Sequence, residues 1–251
     1  MAGRQLFVVT GASGGFGSAI LRQINALFGD RAVIIACARN KSKLDEVITG
    51  FSAQVKHISV EFGEREGIKE RCQAIFDLCA GDGFQSVYLY NNHGFGGDVS
   101  KLAQDFDDST EIDDYFFLNL TSFQVLTSVF LKNFPGIPHT CVNISSLCAI
   151  VAFPSMSLYC TGKAARLMMY KCLAADNSDV KVLNYSPGPM LTTMTEAYHT
   201  DKMKNEETRG KFKKMKEENC WVDTDESAKK MLEIVKDNKF TSGEQIDFYD
   251  C

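Results

Sequence analysis

The stretch TGASGGFG, residues 10–17, directly follows the apolar run LFVVT (6–10), and this junction restricts the fold more than any other feature of the chain. A β-branched run that stops at glycines and resumes as GSAILRQINALF (17–28) reads as strand, tight turn and helix. Gly11, Gly15 and Gly17 have the spacing TGxxxGxG. Glycine allows positive φ and removes the Cβ that would hold a ligand away from the backbone. The helix that follows would aim unpaired N–H groups at an anion, the arrangement that binds a diphosphate. Glycines also serve turns that bind nothing, so it is the place of these three, between first strand and first helix, that points to a dinucleotide.

The remainder of the chain repeats the alternation. AVIIACA (32–38), VKHISVEF (55–62), SVYLYNN (86–92), TCVNISS (140–146), VKVLNYS (180–186) and EQIDFYD (244–250) are strand candidates. Helix-length segments separate them, including YFFLNLTSFQVLTSVFLKNF (115–134). Nearly continuous apolar strands are buried on both faces, as in a parallel sheet covered by helices. The expected fold is α/β: a single Rossmann-type, doubly wound domain over residues 1–251, with a seven-stranded, mainly parallel sheet and helices on both faces. At 251 residues and 45% hydrophobic content, one core is sufficient, and no repeat or linker divides the chain. The segment DKMKNEETRGKFKKMKEEN (201–219) carries charges of both signs. It reads as a solvated helical face, and also as part of a flap, about 190–222, over a site.

Charge and cysteine usage exclude several classes. A net charge of −5 with no basic stripe argues against nucleic acid and anionic membranes as partners. The nine cysteines contain no CxxC pair, and the four histidines have no ligand-like spacing with them. A disulfide framework or metal site is therefore not expected, whereas reduced thiols in the cytoplasm are. The N-terminal apolar run is too short for a signal peptide or a membrane span.

The end of the second strand discriminates between cofactors. A carboxylate there would bind the ribose hydroxyls of NAD. The sequence instead reads ACARN, with Arg39 at that point, and a guanidinium suits the 2′-phosphate of NADP.

Further on come NNHG (91–94), LNLTS with Asn119, NISS with Ser145 and Ser146, then Tyr159 and Lys163 in YCTGK, then YSPGPMLTTM (185–194). On a helix, Tyr159 and Lys163 share one face. Each residue alone has a structural reading: Ser146 as a strand cap, Asn119 at a helix kink, Tyr159 in the core. In this order, behind the glycine turn, the set resembles the short-chain dehydrogenase/reductase family over essentially the whole chain. GDVSK (97–101) and the terminal DFYD (247–250) are narrower and resemble the members that reduce the side-chain ketone of pterins in tetrahydrobiopterin biosynthesis.

The resemblance implies an NADPH-dependent carbonyl reductase. Tyr159 would be the proton donor, and a phenol of pKa ~10 needs tuning for neutral operation. Lys163 would lower that pKa by its charge and hold the nicotinamide ribose. Ser146 would bind the substrate oxygen, and Asn119 would position a water for proton relay to Lys163. Implied cofactor contacts are Gly11, Ser13, Gly15, Phe16, Gly17, Arg39, Asn40, Glu61, Asn91, Tyr159, Lys163, Pro187, Gly188 and Thr192. Ser146, Tyr159 and Asp247 would bind the substrate, with the Asp247 carboxylate taking the two adjacent donors of a 2-aminopyrimidinone edge. The implied substrates are sepiapterin and 6-pyruvoyl-tetrahydropterin. The implied assembly is a homodimer through the helices of Asn119 and Tyr159, where Phe123, Val129, Leu167 and Met168 could face outward or inward. A broad diketone or aldehyde reductase and a non-catalytic NADP(H) sensor are the competing readings, the latter opposed by the intact Asn119, Ser146, Tyr159 and Lys163. Gly14 replaces an arginine common in NADP-preferring relatives, Glu61 replaces an aspartate, and His93 replaces the alanine of an NNAG turn.

Overall fold

The strands Gln5–Thr10 (β1), Ala32–Cys37 (β2), Gln54–Ile58 (β3), Ser86–Asn91 (β4), His139–Ile144 (β5), Val180–Ser186 (β6) and Gln245–Asp247 (β7) form one sheet. Its order is β3-β2-β1-β4-β5-β6-β7. The computed structural model describes residues 3–251; Met1 and Ala2, the first two residues of the expected domain and of its apolar N-terminal stretch, lie outside them. The sheet was expected to be mainly parallel, and every neighbouring pair is parallel.

Helices cover both faces because the strands are apolar on both. Gly15–Phe28 (α1), Lys41–Ile48 (α2) and Thr224–Asp237 (α8) pack Ile20, Leu21, Ile24, Leu44, Met231 and Leu232 against Phe7, Val9 and Ile34. Ile68–Asp77 (α3), Ser122–Asn133 (α5) and Ser157–Asp176 (α6) pack Ile75, Phe76, Phe123, Leu126, Phe130 and Tyr170 against Leu6, Val8, Val33 and Ile35. Two further helices, Ser109–Phe116 (α4) and Glu206–Glu217 (α7), lie outside these layers. Strand order reverses beside β1, and ligands of open α/β sheets bind in the crevice beyond the strand ends at such a point. Among the described residues, no helix is long and apolar enough to cross a membrane.

Three elements depart from the sequence reading. The third strand ends at Ile58, so Val60, Glu61 and Phe62 belong to a loop. The seventh ends at Asp247, whose carboxylate accepts the Tyr249 N–H at 3.1 Å and turns the chain into a short 3-10 turn, Phe248–Asp250. The long helix expected over 115–134 is interrupted by a π-helical turn, Phe117–Thr121. There the Ser122 N–H bonds to Phe117 O, and the Asn119 side chain donates to Tyr115 O at 3.0 Å. Such widened turns recur at functional sites.

Candidate active site

The glycine turn is shaped by what it excludes. Gly11 and Gly15 have φ of +66° and +52°, and a Cβ on Gly17 would lie 2.1 Å from the Gly11 carbonyl oxygen. Gly17 therefore lets α1 close onto the end of β1. No side chain caps the first turn of α1, and nothing lies within 4 Å of a Cβ built on Gly14. The result is an open backbone cradle that fits a dinucleotide diphosphate. Gly11, Ser13, Gly15 and Phe16 line the cleft at this point, with Arg39, Asn40 and Glu61 beyond the end of β2. Gly17 does not line it; its part is in the packing beneath.

Asn91 does not reach the cleft. Its side chain is buried and donates to Phe123 O at 3.4 Å and Thr127 Oγ1 at 3.3 Å. Asn92 is the lining residue instead, with its side-chain amide on Thr10 O at 2.9 Å. A strand side chain alternates faces, so the neighbour of a cleft residue is turned away.

His93 also has a structural explanation. The Thr10 hydroxyl accepts the main-chain N–H groups of Asn92 and His93, both at 2.9 Å. The His93 ring lies between Thr10 Oγ1 and Ser122 Oγ, each at 3.0 Å, and stacks on Phe62 with centroids 4.1 Å apart. Ser122 donates its own hydroxyl proton to Leu118 O at 2.7 Å, which leaves its oxygen to accept from Nε2–H of His93. The imidazole is held neutral, its pKa lowered well below the ordinary value by burial and then by Arg166 and Lys163.

The catalytic candidates meet where β5 ends and α6 begins. Ser146 is extended, and its hydroxyl accepts the Cys148 N–H at 3.1 Å. Tyr159 lies in the first turn of α6, and Lys163 one turn later places its ammonium 5.5 Å from the Tyr159 ring centroid. Lys163 Nζ donates to Ile144 O at 2.6 Å. Burial, and then repulsion from Arg166, lowers the Lys163 pKa to about 7. Burial, aided by Cys148 and opposed by a hydrogen bond with Ser146, raises the Tyr159 phenol. The expected net lowering of the Tyr159 pKa is not seen, because burial outweighs the charges around the phenol. The phenol is held protonated, which suits a proton donor.

Asn119 is buried behind this group rather than lining the cleft. Its side-chain oxygen accepts the Phe95 N–H at 2.8 Å, and its carbonyl accepts from Nε of Arg166. The side chain's hydrogen bonds are therefore internal to the protein. Sequence reasoning missed Arg166, which is 1% exposed and packs over the Phe123 ring at 4.6 Å. Its two terminal nitrogens have no hydrogen-bond partner among the described residues, and burial lowers its pKa to about 10. The only sequence signal was its place one turn beyond Lys163, on the same helical face.

The opposite wall comes from the segment after β6. Gly188 has φ of +78°, and a Cβ there would strike Val222 at 2.8 Å. Pro187, Gly188 and Thr192 line the cleft, with the Thr192 methyl carbon 3.4 Å from a Cβ built on Gly15. Within the flap-like stretch, Tyr198 stacks near Phe212 and Phe212 near Trp221, and Tyr198, Thr208, Lys211, Phe212 and Met215 border the cleft. Asp247 lines the same cleft from β7, whose pairing with Ser186 brings the C-terminal segment alongside β6.

The short chain dehydrogenase family model matches residues 5–203. The sepiapterin reductase of Bos taurus is 40% identical over 256 residues, covering 99% of this chain and 96% of that protein. That of Mus musculus is 39% identical over 251 residues, covering 97% and 96%. The crystal structure of the KRED1-Pglu enzyme has a TM-score of 0.85, covering 96% of this chain and 100% of that one at 20% identity, a likeness of fold.

Proposed function

We propose that this chain, which belongs to the short chain dehydrogenase family, is a sepiapterin reductase that reduces the side-chain ketone of pterins with NADPH. One observation carries the reading. A single cleft of about 1500 Å³ runs from the glycine cradle past Ser146, Tyr159 and Lys163 to Asp247. It joins a dinucleotide site, a proton donor and a carboxylate anchor without a break.

NADPH, when bound, supplies the hydride. Gly11, Ser13, Gly15 and Phe16 would hold its diphosphate, with Arg39 and Asn40 at the adenosine end and Lys163, Pro187, Gly188 and Thr192 at the nicotinamide end. Tyr159 donates its phenolic proton to the ketone oxygen as that oxygen gains charge. Ser146 donates its hydroxyl to the same oxygen, stabilising the charge as it develops. Lys163 stabilises the phenolate left on Tyr159, which is the step its charge serves. Asp247 fixes the pterin by a paired, charge-assisted contact, so that the ketone is presented to Tyr159.

The protein acts in the cytoplasm as a homodimer. Nine thiols with no disulfide among the described residues suit a reducing compartment. Of the four residues on α5 and α6 that could face outward or inward, Phe123, Val129 and Leu167 are buried, whereas Met168 is 58% exposed. A two-fold contact would therefore centre on Met168 rather than on all four residues.

The test is turnover of sepiapterin with NADPH against NADH, followed by loss of substrate and cofactor absorbance. The reading requires stoichiometric consumption of both with NADPH and weaker activity with NADH. A protein that consumes NADPH with small diketones but leaves sepiapterin untouched would be a different reductase.

A further inference from the structure

We infer that Lys43 is a second phosphate-binding cation of the cofactor site and that Lys43 and Arg39 together select NADPH over NADH, an inference that rests on the NADPH reading above. Gly14 adds no side chain to the glycine turn, and among the described residues nothing lies within 4 Å of a Cβ built on it. Arg39 would then be the lone discriminating cation. Yet Arg39 is partly neutralised within the protein, because its guanidinium faces the Glu61 carboxylate at 3.4 Å. A phosphate dianion would compete with that carboxylate for one exposed side chain, a weak basis for selection.

Lys43 supplies the missing charge. It lies in the first turn of α2 and lines the same end of the cleft as Arg39, Asn40 and Glu61. The Asn40 side chain accepts the Lys43 N–H at 2.9 Å, which fixes the backbone that carries it. The neighbouring Lys41 is engaged with Asp45 at 2.6 Å and does not line the cleft. Lys43 makes no ion pair among the described residues. Two cations on the same stretch of chain, one tied to Glu61 and one untied, offer a phosphate dianion the charge that a hydroxyl would not use.

The experiment is direct binding to the full-length protein, by NADPH and NADH fluorescence titration and by calorimetry with 2′,5′-ADP and 5′-AMP. Lys43→Ala is expected to weaken NADPH and 2′,5′-ADP about tenfold, the scale of one charge-assisted contact, with NADH and 5′-AMP unchanged. The NADPH affinity of Lys43→Ala should also fall less steeply with added salt. Gly14→Arg in the Lys43→Ala background should restore the preference. Equal weakening of both cofactors, or an unchanged ratio, would remove Lys43 from phosphate recognition while leaving the NADPH reading intact. A wild-type protein that binds both cofactors alike would overturn the NADPH reading and this inference together.

Discussion

Lys163 donates its ammonium to the main-chain carbonyl of Ile144 at 2.6 Å, tying the catalytic helix α6 to the end of β5. The contact places the ammonium 5.5 Å from the Tyr159 ring centroid and keeps a half-buried lysine within reach of the Arg166 charge. Its pKa of about 7 makes its charge sensitive near neutrality.

The sign of that sensitivity can be worked out. Lys163 is protonated below its folded pKa of about 7 and neutral above it, whereas an ordinary lysine stays charged to far higher pH. The charged form stabilises the Tyr159 phenolate, so kcat/KM for NADPH in the reductive direction should fall as pH rises through about 7. Arg166→Met removes the repelling neighbour and should move that limb to higher pH. A limb that stays in place in Arg166→Met would show that the buried guanidinium does not act on Lys163.

Tyr159→Phe removes the proposed proton donor and little volume. Turnover should fall by roughly 10²–10⁴-fold, the contribution of a positioned general acid. NADPH binding, measured by fluorescence titration, should stay within a small factor of wild type.

On the proposed reading Asp247 has two tasks, because the carboxylate that would anchor the pterin also accepts the Tyr249 N–H. Asp247→Asn keeps an oxygen for that turn and loses the charge and one acceptor. KM for sepiapterin should rise about 10–100-fold, as for a lost charge-assisted contact, with little change for a small diketone. Equal effects on both substrates would remove Asp247 as the pterin anchor.

His93 stabilises the protein in its neutral form. The folded pKa lies below the unfolded value of about 6.5, so the unfolded chain takes up a proton that the folded chain resists. Stability from this group is present above about pH 6.5 and is lost as pH falls below it, at up to about 1.4 kcal/mol per pH unit. His93→Ala should cost about 2–4 kcal/mol at pH 7.5, through two hydrogen bonds and the stack on Phe62. Urea unfolding of both proteins at pH 7.5 and 5.5 measures both effects, and the acid loss should be smaller in the variant.

Much of the architecture was legible in the chain because it rests on local rules. An apolar run that ends at TGASGGFG has few conformations open to it, and seven such runs with helix-length spacers lead to a covered parallel sheet. Tyr159 and Lys163 share a helical face by spacing alone. A helix kink at Asn119 was one reading of the chain, but its π-helical form and the Arg166 side chain that reaches the Asn119 carbonyl from α6 were not legible, since that contact joins two helices distant in sequence. Likewise, strand alternation turns Asn91 into the core and leaves Asn92 at the cleft.

By itself, then, the sequence determined the periodicities: which runs are strands, where the backbone must be bare, and which side chains lie one helical turn apart. Those properties depend on neighbours along the chain. The electrostatic state of the site, in contrast, arises from contacts that exist only once the chain is folded. The neutral His93 and the depressed Lys163 follow from burial beside Arg166, whereas Tyr159 stays protonated because burial outweighs the opposing Arg166 charge. The tertiary structure also decided that Glu61 shares Arg39 and that Asp247 meets the cleft, because charges interact through space and the sheet order sets which of them are near.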